Sequence, residues 1–393
     1  MAVTLYQQPQ VLTPAYNSQV FTALSNQIAI ADFKYIVKVT INGIDYRKEY
    51  LQRPDGWLVV DVKEWVQNFI EHYFNPALSL ASPIEVATNK SIKVDVTFEE
   101  YYSAAPHAGS TYTYYAFDAC LTDEDFRVYN YQDYIFNYTP GKLFLSKTNA
   151  TITPDNRFVL GQDLWLHFID NTYSADINSI TIELLRGASV IDNVNIAALP
   201  MSTITYPIYA LRINSTMFLT AIPQVGDVVR ISFSGLYSSI LRYSITIKDI
   251  CTKYTDNILY YLDRDGNVLY FHFDKISKNT FSKKTNNVTL NADRLNTTTG
   301  VYGSNTWDRE DHTISTSIES TVLLNTDWIT EEQSKQLNDL WSSPQVWLWD
   351  GIKLIAVNSP SGTYEEYKSA NESLVNYTVT LNLGTVETRQ RGI

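Results

Sequence analysis

Residues Asn325–Ser359, NTDWITEEQSKQLNDLWSSPQVWLWDGIKLIAVNS, read as a short helix laid on a β-hairpin, and this unit sets the fold class. Thr330 is placed to cap the helix, with Glu331 and Glu332 in the first turn and Gln333 completing a capping box. Leu337, Leu340 and Trp341 recur at helical spacing and give one apolar stripe. Ser342-Ser343-Pro344 stops the helix, because proline lacks a backbone donor and disfavours a helical residue before it. Two apolar runs follow, Val346–Trp349 and Ile352–Val357, joined by Asp350-Gly351, a strong short-range hairpin signal. Trp341, Trp347 and Trp349 are the expected bulk of the unit. It holds no nucleophile–base pair, metal-ligand cluster or phosphate loop, so it reads as architecture.

The composition extends that reading. Of 393 residues, 45% are hydrophobic, only 18% are charged and 28 are tyrosine. Low charge with abundant Tyr, Thr and Asn fits β-rich domains whose outer faces carry neutral polar groups. Tyrosine-rich faces suit subunit contacts, since the ring buries a large area while its hydroxyl still hydrogen-bonds. The formal net charge of -12 argues against nucleic-acid binding, which needs a basic groove. The densest basic patch, Ser277–Lys284 with Lys275, reads as a solvated loop. Cys120 and Cys251 have no metal spacing and make a poor disulfide pair, which points to reduced, cytosolic synthesis. MAVTLYQQPQ lacks the pattern of a secretion signal, and no apolar run is long enough to span a bilayer, so no membrane insertion is expected. The triplets Asn137-Tyr138-Thr139 and Asn214-Ser215-Thr216 read as chance sequons.

Taken in order, the chain divides into an extended N-terminal arm (1–25), a β-sandwich-like domain with one helix (26–118), an aromatic-rich linker (119–156), a second β-sandwich (157–252) and a C-terminal β domain with the helix–hairpin unit (253–393). The arm either packs on its own domain or crosses to a neighbouring subunit. In the first domain FKYIVKVTI alternates, Asn42-Gly43 turns the chain, and Arg53-Pro54-Asp55-Gly56 is a second turn. Asp61 then opens a helix over about 61–74, with Glu64 completing a capping box and Val62, Trp65, Val66, Phe69, Ile70 and Tyr73 as its stripe. Strands follow at Ser91–Tyr102 and Thr111–Phe117, with His107 in the loop between them. The linker aromatics Phe126, Tyr129, Tyr131, Tyr134, Phe136 and Tyr138 favour packing in a seam over a stacking platform for sugars or bases. The second sandwich is expected from DLWLHFID, SITIELLR, STITYPIYAL, DVVRISFSGL and RYSITIKDI, with His167 a hydrogen-bonded strand residue.

The last domain opens on ILYYLDRDGNVLYFHF. Asp263–Asn267 looks like a calcium loop but lacks the bidentate glutamate and the flanking helices, so Asp265-Gly266 is read as a hairpin turn. Asp308, Glu310, Asp311 and His312 form the one tight acid/histidine cluster, and it reads as a solvated loop face. Tyr377, Val379, Leu381 and Leu383 alternate near the end. The expected fold is mainly β: consecutive β-sandwich-like domains with a few short helices, at about 61–74 and 330–341. No catalytic, cofactor-binding or metal residues and no cofactor are assigned.

The order of elements in the first and last domains resembles a structural virion protein of tailed bacteriophages infecting Bacteroidetes, of the crAss-like type. The resemblance rests on Tyr261-Leu262-Asp263-Arg264-Asp265-Gly266, on Trp328-Ile329-Thr330-Glu331-Glu332, on Leu340–Trp347 (one residue longer than the pattern), on Asn376–Leu381 and on Asp61–Val66. It implies a non-enzymatic ring subunit of the tail or head-to-tail connector. Its partners would be further copies of itself in a cyclic homo-oligomer, neighbouring tail or connector proteins, and genomic DNA as passing cargo only. It would be made in the host cytoplasm and located in the virion. The alternative is a receptor- or glycan-binding tail-tip module; an embedded depolymerase would need paired carboxylates, for which Asp308–Asp311 are poor candidates.

Overall fold

The structure is a computed structural model describing residues 3–136, 158–171, 177–197, 199–235, 241–249, 257–275, 277–289, 294–304, 311–326, 328–330, 333–334, 337–349, 351, 353–358, 367–368 and 374–390. It is mainly β with short helices. The chain forms two compact units, Met1–Ile250 with Tyr260–Phe271, and Cys251–Leu259 with His272–Ile393.

The first unit begins with a β-sandwich. Its larger sheet orders the strands Leu12–Pro14, Ala105–Phe117, Ser91–Tyr102, Lys34–Ile41 and Ile44–Leu51, and its smaller one Val3–Gln7, Val20–Ser25 and Leu58–Asp61. Val3–Gln7, Leu12–Pro14 and Val20–Ser25, within the stretch expected as an arm, are therefore strands of this fold. Alternation puts Tyr35, Val37, Val39 and Ile41 on the face that meets Phe21, Val60, Val94, Val96 and Phe98 in one core. Tyr35 accepts from Ser25 N and donates to Gly56 O, tying both sheets to the Arg53–Gly56 turn. The turn at Asn42-Gly43 takes two residues between Ile41 and Ile44, with φ of 50° and 78°, the left-handed pair that matches strand twist.

The expected helix over 61–74 is only Lys63–Gln67, and no side chain caps it. Asp61 Oδ1 accepts from Lys63 N and from the distant Gln19 N, so the capping box with Glu64 is not made. Beyond Ile70 tertiary bonds replace the helical ladder: Glu71 N donates to Asn89 O, and Tyr73 donates to Glu85. His107 is likewise no loop residue. The strand Ala105–Phe117 includes it, and the turn is Ser103-Ala104, both at positive φ. Pro106 and Gly109 mimic loop punctuation, but Gly109 sits at a bulge where an added Cβ would fall 1.2 Å from Phe98 O.

The rest of the unit pairs Asp163–Ile169, Ile208–Asn214 and Ile84–Val86 in one sheet, and Ser189–Ile196, Ser179–Arg186, Val228–Ser234 and Leu241–Thr246 in another. Phe168 meets Phe233 between these sheets, while Ile169 faces Leu12, Phe117 and Tyr134 on the other side. Burial on both faces explains the unbroken apolar run LWLHFI. Ser189–Ile196 was not foreseen, and STITYPIYAL begins its strand only after Pro207. Residues 119–136, read as linker, pack their aromatics into this core around a short helix, Asp123–Arg127, capped by Thr122. Residues 137–156, with Tyr138, lie outside the described ones.

In the second unit the strands Lys278–Thr289, Asp311–Asn325 and Thr378–Gln390 form a three-stranded sheet. Val322, Leu324, Val379 and Leu381 are buried, whereas Lys278–Lys284 is exposed throughout. That stretch, expected as a loop, is thus a solvated edge strand; its lysines and asparagines conceal strand alternation because no side chain faces a core. The capping box at Thr330 and Gln333 forms reciprocally, at 3.0 and 3.2 Å. Described helical residues run to Ser342, and Ser343 turns extended before Pro344. Residues 331, 332, 335 and 336 of the expected helix lie outside the description. Tyr377 OH reaches Ser334 Oγ and Asn338 Oδ1, clamping the helix to the sheet. In the hairpin, Trp349 pairs with Leu354, a wider connection than the two residues expected. Val346 and Leu348 are buried, and the tryptophans at 341, 347 and 349 are half-exposed.

Candidate functional site

A buried polar cluster lies in the first unit. Lys90 is fully buried, and its Nζ meets Asp118 Oδ2 at 3.1 Å; the other carboxylate oxygen holds His72 Nδ1 at 2.8 Å. Burial by itself would raise the Asp118 pKa, but Lys90 and His72 outweigh it and hold the carboxyl below its ordinary range. His72 stacks on Tyr16, whose phenol is pushed up to about 12, chiefly by burial and then by Asp118. A phenol so reluctant to ionise is no nucleophile at neutral pH. His167 is fully buried, with Nδ1 3.0 Å from Asn267 Oδ1, and its pKa is pushed down to about 3 by burial and then by Lys90. The expectation of a partner-satisfied strand histidine holds for Nδ1, while Nε2 is buried with no hydrogen-bond partner among the described residues. Through Asp118 the cluster ties three separate stretches of the chain together, around His72, Lys90 and Asp118 itself.

The exposed feature with the most pronounced build is the loop Phe218–Gly226. Met217 and Phe218 root it in the core after the turn Ser215–Met217. Asp192 Oδ2 accepts from Thr220 N at 2.7 Å and Ala221 N at 3.1 Å. At the far end Arg186 grips Asp227 through two bonds, 2.9 and 2.8 Å, and donates to Ile222 O, while Asp227 Oδ2 accepts from Gln224 N. The Arg186 guanidinium lowers the Asp227 pKa; at Asp192 burial pulls upward, and the backbone donors Ala221 and Thr220 prevail. This fastened loop holds Leu219 93% and Ile222 84% exposed, beside Val225. Nothing in the sequence marked it: FLTAIPQVG reads as apolar connection, and Asp192 and Arg186 lie 28 and 36 residues from the loop residues they hold.

The remaining candidates do not converge. Asp308 and Glu310 lie outside the described residues. Asp311 is exposed and accepts from Thr289, and His312, its neighbour on one strand, points to the opposite face. No group of three metal-ligating side chains occurs among the described residues. Asp263–Asn267 closes as a hairpin, with Gly266 at φ 85° and Asp263 Oδ1 accepting from Asn267 N. Asn214 is buried and its amide donates to Gly161 O and Asp163, so that sequon is not presented. Cys120 is a free, exposed thiol, and Cys251 lies outside the description. A cleft of about 460 Å³ is lined by Lys38, Asp45, Arg47, Glu99, Pro106 and His107, but its charges pair with one another as Lys38–Asp45 and Arg47–Glu99. Among the described residues no helix is long and apolar enough to cross a membrane.

No protein-family model and no curated protein matches the chain. Among solved structures, a mutant of Salmonella alpha-2-macroglobulin aligns over 100% of this chain and 34% of its own, at 7% identity and a TM-score of 0.19. The same protein reacted with methylamine aligns over 99% and 27%, at 8% identity and a TM-score of 0.19. The chain spans about a third of the length of the first of these solved chains and about a quarter of the second, and scores this low establish no kinship in fold or activity.

Proposed function

We propose that the chain is a non-enzymatic structural subunit of a tailed-phage virion, forming an oligomeric ring in the head-to-tail connector or tail through which DNA passes. The observation that carries assembly is the fastened loop with Leu219 and Ile222 held out in solvent. Burying each side chain against a neighbour contributes roughly 1.5–3 kcal/mol, and a loop already fixed by Asp192 and Asp227 loses little further entropy on docking. The virion setting rests on the motif resemblance of the first and last domains. The net charge of -12 suits a channel in which DNA slides without adhering. A glycan-binding module would draw on the cleft beside His107, and there the charges are already paired and His107 is stacked on Tyr102.

The test is the variant Leu219→Asp/Ile222→Asp, compared with the unaltered chain by sedimentation and by thermal unfolding. The expected result is loss of association with the unfolding midpoint equal to that of the unaltered chain at dilutions where it too is dissociated, since neither side chain supports the fold of a single copy. Undiminished association would remove the loop, and with it the main support for this reading.

A further inference from the structure

The sheets of both units end in strands that no other described strand covers. Ile44–Leu51 closes the five-stranded sheet, and Lys278–Thr289 closes the three-stranded one. Open edges of eight and twelve residues are templates for pairing with another chain. Building on the assembly reading, we infer that Lys278–Thr289 of one copy pairs antiparallel with Ile44–Leu51 of a second copy, joining the two sheets across the subunit boundary.

Backbone direction comes first. Ile41 and Ile44 close a two-residue hairpin, so they form a hydrogen-bonded pair, and Tyr46, Lys48 and Tyr50 turn their main-chain groups inward with them. Asp45, Arg47, Glu49 and Leu51 therefore direct theirs outward. On the other strand the Thr280 carbonyl oxygen lies 3.5 Å from Thr321 Oγ1 of its neighbour, so Thr280 faces inward and Phe281, Lys283 and Thr285 face the open side.

Side chains then select the register. With Leu51 opposite Phe281, Glu49 falls opposite Lys283, Arg47 opposite Thr285, Asp45 opposite Asn287, and Ile44 opposite Val288 on the other face. Leu51 and Phe281 are among the most exposed apolar residues of their units, at 77% and 64%. Glu49 is paired with Lys34 at 3.1 Å but leaves its side chain 56% exposed, and Lys283 has no ion pair among the described residues. The one like-charged pair, Lys48 with Lys284, is relieved on both sides: Lys284 lies 2.6 Å from Glu319, and Lys48 lies over the Tyr50 ring. A slip of two residues one way sets Arg47 against Lys283, and the other way sets Leu51 against Lys283. Lys278–Thr289 carries three lysines and no acid, so it is mismatched to a second copy of itself, whereas Ile44–Leu51 balances Asp45 and Glu49 against Arg47 and Lys48 and offers Glu49 to Lys283. An edge of one unit meeting a different edge of the next copy is a heterologous contact, the kind that repeats around a ring.

Two measurements test this. In a Cys120→Ser/Cys251→Ser background, chains carrying Leu51→Cys are mixed with chains carrying Phe281→Cys under mild oxidation. A covalent dimer is expected, and none with Thr280→Cys, whose side chain faces the other way. With the native cysteines retained, Glu49→Lys or Lys283→Glu should weaken association about tenfold, and the double reversal should restore it to within about threefold. Association that survives both reversals and yields no Leu51–Phe281 cross-link overturns the edge pairing and leaves the assembly reading standing. A chain that stays monomeric at every concentration overturns both.

Discussion

Acidification from pH 7 to pH 5 should weaken the first unit by about 2 kcal/mol through one residue, His167. Its imidazole is fully buried and neutral in the fold, with a pKa pushed down to about 3 by burial and then by Lys90, against a smaller opposing pull from Asn267. In the unfolded chain an ordinary histidine titrates near 6.5. Between those values the unfolded chain takes up a proton that the folded chain refuses. Stability is therefore complete above the unfolded value and declines as pH falls toward 3. At about 1.4 kcal/mol per pH unit, the loss between pH 7 and 5 reaches about 2 kcal/mol, and it accumulates above the range in which ordinary carboxylates protonate. Urea unfolding followed by tryptophan fluorescence, run at half-unit steps over this window, measures it. His167→Gln should flatten the dependence by that amount whatever it does to stability at pH 7. Parallel pH profiles for the variant and the unaltered chain would refute the reasoning, because the proton would then have been taken up elsewhere.

Other expectations follow from single contacts. Asp118→Asn strands the Lys90 ammonium in the interior and should cost about 3–5 kcal/mol by calorimetry, with Lys90→Met/Asp118→Asn costing less than the sum of the two single changes. Gly109→Ala, whose new Cβ overlaps Phe98 O, should destabilise by about 2–3 kcal/mol. Ala104→Gly, which relieves a non-glycine residue at φ 60°, should stabilise by about 1 kcal/mol. The assembled protein should show no measurable retention of duplex DNA at physiological salt in a mobility-shift assay, whereas tight, salt-sensitive binding would contradict an acidic channel.

What could be read in the sequence was what neighbouring residues decide among themselves. Asn42-Gly43, Asp265-Gly266 and the Thr330–Gln333 box each complete their hydrogen bonds or dihedrals within five residues, and all three form as expected. Asp61-Val62-Lys63-Glu64 carried an equally clear capping pattern, but Asp61 is claimed by Gln19, 42 residues away, and the helix shrinks to one turn and a half. Ser103-Ala104 gave no warning of a left-handed turn, since neither residue favours positive φ; strand pairing on both sides imposes it. Lys278–Thr289 escaped notice because an edge strand with no buried face has no apolar alternation to reveal it. The loop bearing Leu219 and Ile222 was illegible for a related reason. Its rigidity comes from Asp192, Arg186 and Asp227, which only the fold brings together.

The proposed assembly requires this chain to close on copies of itself. Sedimentation velocity over a wide concentration range, with class averages of the largest species by electron microscopy, tests it most directly. The expected result is a discrete oligomer whose averages show a closed ring with a central channel. A single species at the 44.8 kDa monomer mass, unchanged up to the solubility limit, would contradict it.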